Sequence, residues 1–408
     1  MNLEKNKKIK ESFLKTREKR QSQVCKVFSI KIQNNKLNKI QREQLKMLFV
    51  EAKWLKNDIL NYFEQTNNLN YTTKKTINKR NFDGSLEEKE LQHLGSQMKQ
   101  SVYTDIISNL KTLSTLKKKN KPVGKLKYCS EYRCINLKQF GVTYKILDKN
   151  FIKIQNVKGK IKVNGLKQIT NDYECANAKL LNCPDGYYLK VTCFCEKREI
   201  IPEIQEKIGI DMGIKSNLTL SNGLIFNASV QETDRLKKLQ RQLVKKKKGS
   251  KNRNKHVKKL RVEYQKITNL KNELSNKIFN ELNKYELIVI QDEMLSGWQA
   301  GLFGKQIQHS ILGKIKAKIK KMTLQDKRFV IISKKHKTTQ MCSKCGKIHK
   351  MNLKDREYIC ECGNDIDRDL NSAINILKIG LEQIESTPVE KSFESSKKQE
   401  DAESLAQR

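Results

Sequence analysis

Three acidic residues stand at places in the sequence where a metal-dependent active site would need them. Asp211 lies in the segment IGIDMG, whose alternation of apolar residues with glycine and acid predicts a strand. Glu293 follows a short apolar run that is typical of a buried strand, and Asp369 precedes a helix with an apolar face. If these elements pack in parallel, the carboxylates meet, and their repulsion is tolerable when divalent cations lie between them. Two Mg²⁺ ions held in this way can activate water and stabilise the leaving oxygen of a phosphodiester.

Each acid also has a simpler interpretation. Asp211 could be an exposed residue of an ordinary strand, and Asp367 or Asp369 could cap the helix that follows. The glycines beside Asp211 favour an active site because they leave space for a large ligand. Residues 218–226 are predicted to form a hairpin closed by an Asn-Gly turn. An acid on a first strand that leads into a hairpin is how an RNase H-like sheet begins.

Four cysteines near the end of the chain have the spacing of a zinc ribbon. A C-x2-C pair and a C-x-C pair are separated by fourteen residues, and each pair is followed by glycine. Thiolates bind Zn²⁺ tetrahedrally, and glycine lets the backbone turn under the metal, so four thiolates predict one closed, structural zinc site. The C-x-C spacing is tighter than usual, and His336 and His349 flank the cluster as alternative ligands. The predicted ligands are Cys342, Cys345, Cys360 and Cys362.

A basic run at residues 245–261 contains ten lysines and arginines and no acid. Such a run can be a solvated surface, but ten like charges repel strongly unless phosphate neutralises them, which favours contact with nucleic acid. Gly249-Ser250 predicts a break between two helices. The basic residues are Lys245, Lys246, Lys247, Lys248, Lys251, Arg253, Lys255, Lys258, Lys259 and Arg261.

The composition agrees with a nucleic-acid partner. The 408-residue chain has a formal net charge of +40, which favours a polyanion as its ligand. We expect a soluble, cytoplasmic protein, because no apolar run is long enough to span a membrane and the charged N-terminus does not read as a signal peptide. Seven scattered cysteines are predicted to be reduced apolar fillers.

The N-terminal half combines helices with short strands. Residues 24–32 read as a strand, and apolar residues at helical spacing predict helices from residue 37 and from residue 85. Residues 125–200 alternate with a period of two between turn signals, which predicts a small barrel or curved sheet. The strand at 24–32 could join this sheet, which would make the helices an insertion. Polar residues 382–408 predict a disordered tail.

Three motifs together resemble the TnpB family, whose members are RNA-guided nucleases of bacterial transposons related to compact type V CRISPR effectors. The motifs are GIDMGIKSNLTLSNG with the later apolar strand that ends in an acid, CSKCG…CECG, and DRDLNSAINIL. They cover about residues 208–380. The N-terminal half is similar only in outline, and residues 387–390 in the tail also look like that family.

The resemblance implies a multi-domain α+β fold. It has an RNase H-like (RuvC-like) α/β nuclease core with an inserted zinc ribbon, and an N-terminal β-barrel-like wedge domain interrupted by a helical recognition domain. The implied domains are an arm with the first wedge strand at 1–35, the helical recognition domain at 36–122, the wedge at 123–202, the nuclease core at 203–340, the zinc ribbon that contacts target nucleic acid at 341–363, the last RuvC-like motif at 364–381 and the tail at 382–408.

The resemblance also implies a catalytic and Mg²⁺-binding triad, which falls on Asp211, Glu293 and Asp369. Asp367 is the alternative to Asp369. Many members have glutamate directly after the apolar strand, where this chain has Gln291. Glu293 lies two residues later, which places it on the same strand face if the strand continues.

The implied partners are a guide RNA and double-stranded target DNA beside a short flanking motif. A monomer is favoured. The alternatives are a nuclease-inactive, RNA-guided repressor, which Gln291 favours, and a transposition accessory protein that binds DNA without RNA.

Overall fold

The computed structural model describes residues 2–72, 75–81, 84–197, 201–215, 217–324, 326–352 and 355–386. The chain divides into two compact units, Met1–Glu199 and Ile200–Arg408. This division falls close to the start of the predicted nuclease core at residue 203.

A seven-stranded sheet organises the first unit. The elements, in chain order, are α1 (Asn2–Gln21), β1 (Gln23–Ile32), α2 (Lys39–Thr66), β2 (Thr76–Arg80), β3 (Leu86–Glu90), α3 (Ser96–Lys118), β4 (Cys134–Leu137), β5 (Tyr144–Asp148), β6 (Phe151–Ile154), β7 (Ile161–Asn164), β8 (Glu174–Cys183) and β9 (Gly186–Glu196). The strand order is β4-β8-β9-β1-β7-β6-β5, and neighbouring strands are antiparallel. The early strand β1 lies between β9 and β7, which confirms that the helices are an insertion in this sheet.

The insertion contains a β-hairpin that the sequence did not predict. A helix was expected from residue 85, but β3 pairs with β2, and α3 begins only at Ser96. The cause is tertiary and cross-strand contact. Lys79 pairs with Glu87 across the hairpin at 2.7 Å, and the buried Asp58 of α2 accepts a hydrogen bond from the Asn78 amide at 3.1 Å. These contacts outweigh the helix propensity of the Leu-Glu-Glu-Lys-Glu segment.

The second unit contains a five-stranded sheet of mixed direction. Its elements are β10 (Ile204–Met212), β11 (Leu218–Leu220), β12 (Ile225–Phe226), α4 (Asp234–Val244), α5 (Lys251–Leu282), β13 (Tyr285–Gln291), α6 (Leu295–Ala300), α7 (Gly304–His309), α8 (Leu312–Met322), β14 (Phe329–Ile332), β15 (Glu357–Cys360), β16 (Asn364–Asp367) and α9 (Arg368–Glu385). The order is β12-β11-β10-β13-β14. β10, β13 and β14 run parallel, and β11 and β12 form the predicted antiparallel hairpin.

Two glycines let α9 approach this sheet closely. A Cβ atom at Gly209 of β10 would overlap the carbonyl oxygen of Ala373 and lie 2.6 Å from the amide nitrogen of Leu377. At Gly380 of α9, a Cβ atom would overlap the side chain of Val289 in β13. The expectation that Gly209 leaves space for a ligand is therefore wrong, because the backbone of α9 occupies that space.

The C-terminal helix extends past the predicted boundary of the ordered chain. α9 continues through Glu385, so the disorder expected from residue 382 does not begin there. Residues 387–408, which include the tail segment that looks like the family, lie outside the described residues. In the part of the chain that the structure describes, no helix combines the length and the apolar character needed to cross a membrane.

Candidate active site and metal centre

Asp211 lies near the carboxyl end of β10, where it interacts with both of the other predicted acids. Its carboxylate is half-buried, and the hydroxyl of Ser372 on α9 donates a hydrogen bond of 2.8 Å to Oδ1. The pKa of Asp211 is raised to about 7, mainly by burial, with the charges of Asp369 and Glu293 adding to the rise; the Ser372 hydrogen bond and Arg368 oppose it. The charges of both acids therefore act on Asp211, but among the described residues only the four cysteines place their ligand atoms close enough together to hold one metal ion.

The two acids at the start of α9 have different surroundings. Asp367 is exposed, and its Oδ1 accepts hydrogen bonds from the amides of Asp369 and Leu370 at 2.9 and 3.0 Å, which makes it the helix N-cap. Asp369 is mostly buried, 3.6 Å from the guanidinium of Arg368, and its charge acts on Asp211. The capping interpretation therefore applies to Asp367, and the charge of Asp369 acts on Asp211.

Glu293 reaches the site by a different route from the one that strand alternation predicts. β13 ends at Gln291, and the amide of Glu293 donates to the carbonyl oxygen of Gln291 at 2.9 Å, so the chain turns directly after the strand. The expectation that a continuing strand sets the direction of Glu293 is wrong. Burial raises the pKa of the half-buried Glu293, and the charge of Lys316 opposes the rise. Asp292 is exposed and pairs with Lys316 at 2.5 Å.

The side chain of Gln291 is buried and fully engaged. Its Nε2 donates to the carbonyl oxygens of Ser333 and His336 at 3.3 and 2.8 Å, and its Oε1 accepts from the hydroxyl of Thr338 at 2.9 Å. A glutamate in this orientation would face two carbonyl oxygens without protons to offer them. Gln291 therefore serves as a structural connector in this conformation.

A line of side chains connects Gln291 to Asp211. The hydroxyl oxygens of Thr338 and Ser372 lie 3.1 Å apart, with Thr338 bound to Gln291 on one side and Ser372 bound to Asp211 on the other. Thr338 and Ser372 were not among the predicted site residues. A signal for Ser372 was available, because it is a polar residue within the apolar part of the DRDLNSAINIL motif.

Two buried asparagines of α9 join the first cysteine knuckle to this helix. Asn371 accepts from the amide of Ser343 at 2.8 Å and donates to the carbonyl oxygen of Met341 at 2.8 Å. Asn375 donates to the carbonyl oxygens of Met341 and Thr338 at 2.6 and 2.9 Å. Asn371 is two residues from Asp369, so the first turns of α9 carry Asp369 and also hold the first cysteine knuckle.

The four predicted cysteines converge. Their Sγ atoms all lie within 4.8 Å of one another, and two of the pairs are 3.6 Å apart. A tetrahedral zinc with Zn–S bonds near 2.3 Å separates its sulfurs by about 3.8 Å, so this donor set fits Zn²⁺. Gly346 and Gly363 both have positive φ, +76° and +77°, which supplies the turn after each pair despite the short C-x-C spacing. The cluster is Cys342, Cys345, Cys360 and Cys362.

Polar groups around the cluster complete its second layer of contacts. The Nε2 of His349 lies 3.3 Å from the Sγ of Cys360, and the side-chain amide of Asn364 donates to the Sγ of Cys342 at 3.4 Å. Although burial opposes it, backbone hydrogen bonds from Cys345 and Lys344 lower the pKa of the Cys342 thiol to about 6. Hydrogen-bond donors such as the side-chain amide of Asn364 would stabilise cysteine thiolates that bind a metal ion.

Loss of the metal should loosen α9 as well as the ribbon. We expect Cys345→Ser to lower the unfolding temperature of the second unit and to expose residues 341–363 to protease, because thiolate–zinc bonds contribute directly to folding. Limited proteolysis and zinc content measured by atomic absorption check this. Cys183→Ser is the matched control, since that half-buried cysteine lies in β8. Full zinc content and unchanged proteolysis in Cys345→Ser would contradict the assignment.

The basic run lies on the α4–α5 hairpin, and Ser250 caps α5 at the predicted break. Eight of its ten basic residues are exposed, and Lys246 and Arg253 are half-buried. The guanidinium of Arg253 donates to the carbonyl oxygens of Leu243 and Lys246 at 2.8 and 3.1 Å, so it holds the end of α4. Contact of this surface with nucleic acid stays a prediction.

Comparison with known proteins finds two families whose models match parts of this chain. The model of a family described as a probable transposase (OrfB_IS605) matches residues 192–292, and that of the Cas12f1-like TNB domain matches residues 313–376. These segments contain Asp211, the β13 strand, the cysteine cluster and the start of α9.

Curated relatives carry related names. A protein of Streptomyces pristinaespiralis, provisionally named RNA-guided DNA endonuclease, is 32% identical over 187 residues, 44% of this chain and 46% of that protein. InsQ of Escherichia coli (strain K12), provisionally named in the same way, is 26% identical over 216 residues, 48% of this chain and 54% of InsQ. TnpB-like protein L770 of Acanthamoeba polyphaga mimivirus is 28% identical over 265 residues, 57% of this chain and 46% of L770.

The chain spans about half the length of these relatives. The cryo-EM structure of a Cas12f1-sgRNA-target DNA complex aligns with 87% of this chain and 99% of its own chain, at 14% identity and a TM-score of 0.42. The family matches and the TnpB-like relatives show that two segments of this chain are similar to proteins of the TnpB family.

Proposed function

We propose that this protein is an RNA-guided, Mg²⁺-dependent DNA endonuclease. The observation that carries the proposal is the position of Asp211 near the carboxyl end of β10, which runs parallel to β13, with Ser372 of α9 donating a hydrogen bond to its carboxylate and Asp369 in the first turn of that helix. The strand order β12-β11-β10-β13-β14 supports an RNase H-like (RuvC-like) core, because β12, β11 and β10 are antiparallel neighbours and β13 and β14 run parallel to β10. The names of the relatives support the same activity.

The three acids are the proposed ligands of two Mg²⁺ ions. Carboxylate oxygens are the donors that Mg²⁺ prefers, and a half-buried acid whose neighbours are also acidic favours a bound cation. When bound, the ions would supply an activated water and charge stabilisation at the leaving oxygen of a phosphodiester. Ser372 would hold the Asp211 carboxylate in place, and the Asp367 cap would fix the start of the helix that presents Asp369.

Nucleic acid would be held by the remaining surfaces. The exposed lysines of the α4–α5 hairpin would contact phosphate, and the zinc ribbon would contact the target. The antiparallel sheet of the first unit, as a wedge, and its inserted α2–α3 segment, as a recognition domain, would contact the guide–target duplex and the flanking motif. A monomer is the proposed state.

A second function, an RNA-guided repressor that does not cut, is favoured by one observation. β13 ends on a glutamine whose amide is committed to two carbonyl oxygens, and Glu293 lies beyond the strand. If the position at the strand end must supply a ligand, Gln291 leaves the site with two acids.

A matched pair of substitutions separates these functions. We expect Glu293→Gln to reduce Mg²⁺-dependent cleavage at least about 100-fold, because the substitution removes one of three proposed ligands, while Asp292→Asn changes it less than threefold. The measurement is cleavage of matched double-stranded DNA with randomised flanks by protein purified with its RNA, in Mg²⁺ and in EDTA.

The result for the native protein decides between the two functions. Cutting that follows the RNA sequence and needs Mg²⁺ supports the nuclease. Tight RNA-dependent binding without cutting supports the repressor. Equal cutting by Glu293→Gln and the native protein would remove Glu293 from the site.

A further inference from the structure

A cavity of about 390 Å³ opens beside the strand end that carries Asp211. Its walls come from the loop after β10, the segment between β12 and α4, the first turn of α4, and α7. Ile214 and Lys215 line it, and they follow Asp211 by three and four residues. Because three residues of chain span at most about 11 Å, one bound nucleic-acid strand could contact both the cavity and the acids.

A buried histidine with one unsatisfied nitrogen lies in the wall of this cavity. His309 is 9% exposed, and its Nδ1 lies 3.0 Å from the side-chain oxygen of Gln231. Its Nε2 has no hydrogen-bond partner among the described residues. The backbone holds the ring in place, because the amide of Val230 donates to the carbonyl oxygen of His309 at 3.0 Å. Buried polar atoms are normally satisfied, so the unpaired Nε2 leaves the His309 ring able to take one further hydrogen-bond partner.

The charge of the cavity selects an anion. Lys215, Lys237 and Lys305 line it against one acid, Glu232, which leaves a formal charge of +2 from three cations and one anion. Burial lowers the pKa of His309; the charge of Glu232 opposes the lowering, and the charges of Lys271, Lys305 and Lys237 add to it. An anion between them would favour the protonated ring, which can donate from Nε2.

We propose that this cavity binds a phosphate group, with its attached sugar, of the DNA strand that reaches the three acids. The three lysines neutralise the phosphate, and His309 donates to one of its oxygens. The volume falls in the range of small-ligand sites and exceeds what a free phosphate needs. The choice of a DNA strand as occupant rests on the proposed function, whereas the phosphate chemistry rests on the cavity alone.

Lysine labelling tests the site without requiring cleavage. The protein, purified with its RNA, is acetylated with a succinimide ester without added Mg²⁺, alone, with a 12-nucleotide single-stranded DNA, or with inorganic phosphate, and labelled lysines are quantified by mass spectrometry. We expect the DNA to lower labelling of Lys215, Lys237 and Lys305 at least threefold. Lys238 is the control, because it is the exposed neighbour of Lys237 on α4 and lies outside the cavity lining.

Charge-removing variants supply the second measurement. Replacing Lys237 with glutamine should reduce affinity for the oligonucleotide about 5-fold at 0.1 M salt if one phosphate contact is lost, and should flatten the salt dependence of log K by about 0.7. Lys238→Gln should change neither. Thermal unfolding of both variants checks that the fold is intact.

Three results would overturn the proposal. The first is equal protection of Lys237 and Lys238, which would describe a diffuse basic surface. The second is protection by inorganic phosphate that DNA does not increase, which would assign the cavity to a free anion. The third is low labelling of the three lysines, relative to Lys238, that is already present before DNA is added and that DNA does not change. That result would assign the cavity to the bound RNA. Because none of these depends on cutting, a failed cleavage assay leaves the test intact.

Discussion

Replacing Asp211 with asparagine should abolish DNA cleavage, with a loss of about 10³-fold or more, while the protein keeps its bound RNA and its fold. The substitution is nearly isosteric, and the Ser372 hydroxyl can still donate to the side-chain oxygen. What disappears is the negative charge that the proposed Mg²⁺ ions require, and residues that act as one unit fail together when one is removed.

The stability of this variant is an independent readout. Burial and the charges of Asp369 and Glu293 penalise the ionised form of Asp211, so its pKa is raised to about 7. The asparagine variant should therefore be at least as stable as the native protein in EDTA at pH 8, where the native acid is charged. The measurements are cleavage in Mg²⁺, RNA retained after purification, and thermal unfolding in EDTA. Cleavage that persists in the variant would refute the site assignment.

Replacing Gly209 with alanine should destabilise the second unit by about 3 kcal/mol or more. The added methyl group would meet the backbone of α9 at Ala373 and Leu377, and backbone cannot move aside as a flexible side chain can. Moving α9 also displaces Asp369 and Ser372 from Asp211, so cleavage should fall together with stability.

Gly313 provides the matched control for this substitution. It lies in α8, and a Cβ atom added there has no described heavy atom within 4 Å. Gly313→Ala should leave stability unchanged or raise it by about 0.5–1 kcal/mol, because alanine has the higher helix propensity. Chemical denaturation of both variants gives the comparison. Similar stability of the two variants would contradict the close packing of α9 on β10.

Local pattern was sufficient to find the cysteine cluster and to propose the acidic residues of the candidate site. Alternation around Asp211, the apolar run before Gln291, and the cysteine spacing depend only on short-range periodicity and on the ligand preferences of a metal. The same holds for the β11–β12 hairpin, whose turn chemistry lies within two residues. The first-unit sheet also followed from its period-two segments, including the early strand at 23–32.

Contacts between distant segments decided the rest. At the end of β13, the side-chain amide of Gln291 donates hydrogen bonds to the carbonyl oxygens of Ser333 and His336, which lie more than forty residues further along the chain. Strand alternation cannot include such contacts, so it predicted the wrong path for the chain at Glu293. The segment Leu86–Glu90 is a strand because it pairs with β2, which α2 in turn holds through the hydrogen bond to Asp58. Gly209 allows the backbone of α9 to lie directly against β10, and this contact involves residues more than 160 positions apart.

The sequence by itself determined which side chains can bind metal and phosphate, because residue type and near spacing carry that information. Only the tertiary structure decided how they are supported. Asp367 caps the helix while the charge of Asp369 acts on Asp211, and the buried asparagines connect the ribbon to that helix. His309 meets three lysines from separate segments at one cavity. These arrangements arise when elements far apart in the chain pack together, and hydrogen bonds and charge–charge interactions act over a few ångströms of space regardless of the distance along the chain.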